Sequence, residues 1–123
     1  MEQVYRIPGG LFLKGAPVFV KEATMWQEAG KLFAKLSMEN KDAERTICAV
    51  TVRFSPIATN GAVIGDGQLR QFAQLQAAPG AVFGEELTEL PEGSCAFGAA
   101  VLKAEFTDGS AWEAESNLAW HVL

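Results

Sequence analysis

Residues 31–38, Lys-Leu-Phe-Ala-Lys-Leu-Ser-Met, decide the fold class. Leu32, Ala34, Leu36 and Met38 fall on one side of an extended chain, while Lys31, Lys35 and Ser37 fall on the other. That period of two belongs to a β-strand with one buried face. Phe33 is the one apolar residue on the polar side. The alternation returns over residues 46–54, where Cys48, Val50, Val52 and Phe54 alternate with Ala49, Thr51 and Arg53. Asn40, Lys41 and Asp42 between the two runs are turn residues, so the pair reads as a hairpin.

Upstream, Val18 to Trp26 is rich in strand formers and stops at the turn signal Glu28-Ala29-Gly30. Downstream, residues 55–67 read as a loop, with Pro56, Asn60-Gly61 and Gly65-Asp66-Gly67. Further strands are expected over Leu69–Ala77, Val82–Leu90, Cys95–Phe106 and Ala111–Glu115, divided by Pro79-Gly80 and Pro91-Glu92-Gly93. The apolar tail Leu118–Leu123 is expected to pack as an edge strand beside residues 3–7. Short strands at this spacing predict an all-β fold, an immunoglobulin-like antiparallel β-sandwich of about seven or eight strands. The length suits one domain over 1–123, its core in 17–115, with 1–16 and 116–123 as packing extensions.

The last hairpin allows a register to be chosen. A two-residue turn at Asp108-Gly109 would set Glu105 opposite Trp112. A three-residue loop with Gly109 in the left-handed region sets Ala104 opposite Trp112 and leaves Lys103 outside, facing Glu113. A slip of one residue turns an apolar set outward, so burial selects the second register: a type I turn followed by a G1 bulge, with Trp112 inside.

An ordered series runs through these strands: Asn40 after the lysine-bearing strand, Ile47–Phe54, Phe83-Gly84, Leu90-Pro91, and Val101-x-x-x-x-Phe106-x-Asp108-Gly109-x-x-Trp112. It resembles a family of small bacterial β-sandwich domains of unknown function, immunoglobulin-like in shape, whose members occur alone or joined to modules such as zinc ribbons. The likeness covers roughly residues 17–113. It implies a fold and no known activity or catalytic residues. The stretch Ser55–Gly61 departs from the polar Asp-x-x-Gly turn of the family pattern. The zinc-ribbon cysteines are absent, so nothing about metal carries over.

Charge is unevenly spread. Residues 1–70 hold nine Lys/Arg against seven Asp/Glu, and residues 71–123 hold one against eight, giving the net charge of −5. No basic stripe offers to neutralise phosphates, so nucleic acid is not an expected partner. No run of eighteen apolar residues suggests a membrane span. Pro8, Gly9, Gly10 and Pro17 interrupt any apolar leader, and a cytoplasmic, reducing location is expected. Cys48 and Cys95 then read as buried free thiols, with a bridge between facing sheets as the alternative.

Catalytic constellations are mostly missing. His121 stands alone near the end of the chain, and the cysteines lack metal-ligand spacing. Gly65-Asp66-Gly67 with Asn60 offers oxygen ligands but not the alternating acids of a calcium loop. Glu85 or Glu86 with Asp108 could form a carboxylate pair for hydrolysis, though adjacent strand residues face opposite ways. Trp26, Trp112 and Trp120 could line a sugar-binding face, and core packing is their ordinary role. If Glu28-Ala29-Gly30 closes the first hairpin, Met25 and Phe33 lie opposite each other on the outer face, a candidate partner surface. The expectation is a non-enzymatic interaction module without a cofactor. It would bind protein, or another copy of itself, through a sheet face or edge. A carbohydrate-binding module is the runner-up and a small carboxylate hydrolase comes third.

Overall fold

The structure, a computed structural model, describes the backbone of residues 2–12, 16–114 and 120–122, and the side chains of Gln3 and residues 16–114. The described residues form strands and no helix. They are β1 (Glu2–Phe12), β2 (Val18–Glu28), β3 (Lys31–Asn40), β4 (Ile47–Ile57), β5 (Gln68–Phe72), β6 (Val82–Phe83), β7 (Thr88–Leu90), β8 (Ala96–Phe106), β9 (Ala111–Glu113) and β10 (Trp120–Val122). One antiparallel sheet runs β1-β2-β3-β6, with β7 also on β3; the other runs β10-β8-β4-β5, with β9 also on β8. Because β6 and β7 share one flank of β3, and β9 and β10 one flank of β8, each sheet has four strand positions.

The alternation over residues 31–38 is what the fold uses. Ala34, Leu36 and Met38 are fully buried, and Leu32 packs against the same cluster. Val50, Val52 and Phe54 meet them from β4, and Phe97, Val101, Ala104 and Phe106 from β8. A buried phenylalanine contributes about 2–3 kcal/mol through the surface it removes from water, so Phe54, Phe72, Phe97 and Phe106 dominate this core. Phe54 and Phe97 pack tilted, their ring centroids 6.0 Å apart.

Beyond β1, whose pairing with β2 shifts register between Gln3 and Tyr5 and between Pro8 and Leu11, strict alternation fails at three bulges. Val20 pairs with Met38 but Glu22 with Ser37, so Lys21 is an extra residue on β2. The inserted residue shifts the inward set from Val18 and Val20 to Ala23 and Met25. A second bulge at Cys48 moves the inward set from Ile47, opposite Phe106, to Val50, opposite Ala104, and leaves Cys48 partly exposed. The third, at Leu102, turns β8 from Val101 to Ala104.

The last hairpin takes the register that burial selects. Ala104 faces Trp112, Lys103 faces Glu113, and Trp112 packs against the core. Gly109 N–H donates to Phe106 O at 3.1 Å and Phe106 N–H to Ser110 O at 2.9 Å, with Gly109 at φ 88°. This is a type I turn with a G1 bulge.

Other expectations are corrected. The strand expected over Leu69–Ala77 ends at Phe72, because Gln74 takes φ 57° and bulges before Leu75 and Ala77 rejoin β4. The run Val82–Leu90 splits into β6 and β7 around Gly84, whose φ is 83°. The tail does not flank residues 3–7: β10 pairs with Phe97–Ala99 of β8 in the other sheet. Residues 2–12 form a full edge strand on β2. Cys48 and Cys95 are free, as expected, but not buried: Cys48 is partly exposed and Cys95 exposed, its N–H bonding Ile57 O at the far end of β4. At ~3.3 Å per strand residue they lie about 30 Å apart, far beyond disulfide reach.

The β2–β3 turn holds a local conflict. Glu28 pairs with Lys31, so Ala29 and Gly30 form a two-residue turn, with φ of 52° and 79°. Alanine in the left-handed region costs about 1 kcal/mol, which asparagine largely avoids. Ala29→Asn is therefore expected to stabilise the chain by about 0.5–1 kcal/mol, read as a rise of about 2–4 °C in the thermal midpoint.

Candidate functional site

The outer face of the first sheet carries the most distinctive arrangement. The two-residue turn at Ala29-Gly30 fixes the register of β2 on β3, and Trp26 lands directly opposite Phe33. Across the whole sheet one row reads Gln3, Trp26, Phe33, Glu89. Both aromatic residues are half-buried, on a face that carries polar residues around them and, opposite Glu39, the apolar Phe19 and Val82. The indole is held in place: Trp26 Nε1–H donates to Thr24 Oγ1 at 2.8 Å, and Lys35 Nζ stands 5.8 Å from the ring centroid. A cation at that distance is attracted by the ring's negative face. Holding the ring beforehand lowers the entropy lost when something packs on it.

Met25, expected on this face opposite Phe33, is not there. It is 2% exposed, lies in the core and pairs with Ala34. The Lys21 bulge turned it inward, and the short turn set the register one residue away from the three-residue closure through Glu28, Ala29 and Gly30. Phe33 does lie outside, with Trp26 as its neighbour. One signal in the sequence pointed to this: an unbroken alternation from Val18 and Val20 would bury Glu22, so the phase had to change before Ala23.

Beside this row lies a cleft of about 420 Å³, lined by Gly30, Lys31, Leu32, Glu89, Pro91 and Gly93 among others. Lys31 Nζ and Glu89 Oε1 are 3.4 Å apart at its rim, both more than half exposed. Such an exposed pair is weak and easily exchanged for other partners. At the other end of the face, Lys41 and Lys21 approach Glu39 at 2.7 and 3.6 Å and hold its carboxyl below the usual carboxylate range, the Lys41 hydrogen bond most of all.

The remaining candidates do not converge. Glu85 accepts a hydrogen bond from Ser37, Glu86 pairs with Arg70, and Asp108 accepts from Ser110 in the β8–β9 turn of the other sheet. Arg70 also donates to Leu87 O and Thr88 Oγ1, tying β5 to the segment between β6 and β7 across the open edge of the sandwich. Asp66 sits in an exposed loop, and among the described residues no three His, Cys, Asp or Glu are grouped to hold a metal. His121 pairs with Gly98 through its backbone, and its side chain and that of Trp120 lie outside the described residues. Among the described residues no helix is long and apolar enough to cross a membrane.

One ionic cluster supports the fold from sequence positions that looked like plain turn. Asp42 accepts from the backbone of Glu44 and Arg45 and forms a two-pronged pair with the Arg45 guanidinium at 3.0 and 2.8 Å. Arg45 lies 3.9 Å over the Phe106 ring and donates to Ser110 Oγ. The Arg45 side-chain bonds first, and the backbone donors next, hold the Asp42 carboxyl down at about 2. A carboxyl lowered on folding stabilises fully above its unfolded value of 3.8, and that contribution is lost as pH falls through about 2. The urea midpoint is therefore expected to drop between pH 4 and pH 2, and Asp42→Asn to flatten that part of the profile.

Comparison with known proteins adds no relative: no family model, no curated protein and no solved structure matches this chain.

Proposed function

We propose that this chain is a non-enzymatic interaction module that binds protein through the outer face of its first sheet, and that a second copy of the chain is its partner. The observation that carries this reading is the half-buried Trp26–Phe33 pair, fixed by Thr24 and Lys35 on an outward face. Rigid aromatic anchors ringed by polar groups are the usual energetic centre of protein contacts. Charges of both signs surround the pair, Lys31 and Lys35 with Glu89. A copy turned over a two-fold axis can set Lys35 against Glu89 twice.

The finer fold reading has support as well. The chain passes between the sheets in the groups β1–β3, β4–β5, β6–β7 and β8–β10, with β3 beside β6 and β7, and β4 beside β8. These match the central B–E and C–F pairings of immunoglobulin-like sandwiches, in keeping with the resemblance to small domains of that shape. A sugar-binding role for Trp26 is the weaker reading, because its indole N–H is already donated to Thr24 and Lys35 occupies its vicinity.

Sedimentation velocity over a broad concentration range tests the proposal, with Phe33→Glu as the variant and Leu69→Glu, on an exposed position of the other sheet, as the control. The expected result is reversible dimer formation by the wild type and the control, and a monomer at every concentration for Phe33→Glu. A monomeric wild type, or a Phe33→Glu variant that associates equally well, overturns it.

A further inference from the structure

Two turns of this chain share one geometry. In Ala58-Thr59-Asn60-Gly61-Ala62, Gly61 N–H donates to Ala58 O and Ala58 N–H to Ala62 O, both at 2.9 Å; Asn60 Oδ1 accepts from Ala62 N–H at 2.9 Å, and Gly61 has φ 85°. In Phe106-Thr107-Asp108-Gly109-Ser110, Gly109 N–H donates to Phe106 O and Phe106 N–H to Ser110 O; Asp108 Oδ1 accepts from Ser110 N–H, and Gly109 has φ 88°. Thr-Asn-Gly and Thr-Asp-Gly are thus interchangeable here, one bearing an amide where the other bears a carboxylate.

We infer that Asn60 is a site of spontaneous covalent modification, deamidating through Gly61 to give aspartate and isoaspartate. The Asx hydrogen bond from Ala62 N–H folds the Asn60 side chain forward, closing a ring that contains the Asn60–Gly61 peptide bond. Residues 60–62 are exposed, and the Gly61 N–H is tied by the single turn bond to Ala58 O, so the opening of that one exposed bond gives base and the Asn60 Cγ access to the nitrogen. Hydroxide removes the Gly61 amide proton and the nitrogen bonds to Asn60 Cγ. The Cγ–Nδ2 bond breaks and the side-chain amide nitrogen, taking a proton back from water and regenerating hydroxide, leaves as ammonia, closing a succinimide. Water then opens either of its carbonyls. Cleavage of the new N–Cγ bond leaves aspartate with the backbone intact, and cleavage of the original peptide bond routes the chain through Cγ as isoaspartate.

The two products differ in consequence. Aspartate at 60 reproduces the turn at Asp108, whereas isoaspartate adds a methylene to a turn closed by two backbone bonds. Asp108-Gly109 can form the same ring, but the Ser110 backbone and hydroxyl bonds hold its carboxyl in the ionised, unreactive form. Asn40 is buried with its amide fully engaged and is followed by Lys41.

The full folded chain, held for weeks at 37 °C between pH 7 and 9, is to be digested and its peptides weighed, with isoaspartate read by enzymatic methyl transfer. The expected result is a gain of about one mass unit in the peptide holding Asn60. Its rate should rise with pH, exceed that at Asn40 or Asp108 by roughly tenfold, and vanish in Asn60→Gln. Asn60→Asp should match the wild type in thermal midpoint. No gain at Asn60 while the urea-unfolded chain converts, or faster conversion at Asn40, overturns the inference.

Discussion

Asn40→Ala is expected to cost about 3 kcal/mol, seen as a fall of about 10 °C in thermal midpoint. The residue is 1% exposed at the end of β3. Its amide donates to Arg45 O at 2.9 Å and to Ala77 O at 2.8 Å, and its Oδ1 accepts from Asp42 N–H at 2.9 Å. Its backbone adds two more ties, to Ala81 and Gly80. One side chain thus joins the β3–β4 connection to the segment that leads from β5 to β6. Alanine leaves Arg45 O and Asp42 N–H without this partner and takes one of two donors from Ala77 O, which keeps Ile47 N–H, and the three lost bonds are each worth about 1 kcal/mol.

Asn40→Asp separates hydrogen bonding from volume. The replacement has nearly the same shape but points an oxygen at each carbonyl, so the folded state favours the protonated acid. A carboxyl raised on folding destabilises more as pH rises above its unfolded value near 4. Asn40→Asp should therefore regain stability between pH 7 and pH 4.5, whereas Asn40→Ala should follow the wild-type profile. Equal pH dependence in the two variants would show that the amide makes no such bonds.

The hairpin read from residues 31–38 and 46–54 is not formed: β3 and β4 lie in opposite sheets, and the turn residues at 40–42 carry the chain across from one to the other. The two strands themselves were legible, because a face buried on one side imposes period two. The β8–β9 register was legible for the same reason: one of two turn lengths would have put Glu105 opposite Trp112. What escaped was each place where one extra residue enters without a mark in composition. Lys21, Cys48 and Leu102 are ordinary strand residues; the charge of Glu22 signals that the phase of β2 changes, but which residue bulges shows only in the partner's register. Phe33 announced itself as an apolar residue on a polar side. Its neighbour did not, since naming Trp26 required both the length of the Ala29-Gly30 turn and the phase change at Lys21. The stabilising polar residues were hidden in another way: Asn40, Asp42 and Arg45 look like turn and surface residues until distant carbonyls and an aromatic ring are brought to them.

The phase of β2 can be tested with the second large effect, at Met25. With the Lys21 bulge present, Met25 faces Ala34 within the core, and Met25→Glu places a carboxylate among Val, Leu and Phe side chains with no cation provided. Such a charge costs about 4 kcal/mol or more even after it takes up a proton, a large part of the total stability of a domain this size. The expected result is loss of the cooperative unfolding transition at neutral pH, while Met25→Leu, close in volume, stays within about 1.5 kcal/mol of wild type. Phe33→Glu, on the outer face, should keep its transition. If β2 instead ran without the bulge, Met25 would face solvent and the order would reverse, with Met25→Glu tolerated. That outcome would also move Glu22 and Thr24 inward, so the Trp26–Phe33 face stands or falls on the same comparison.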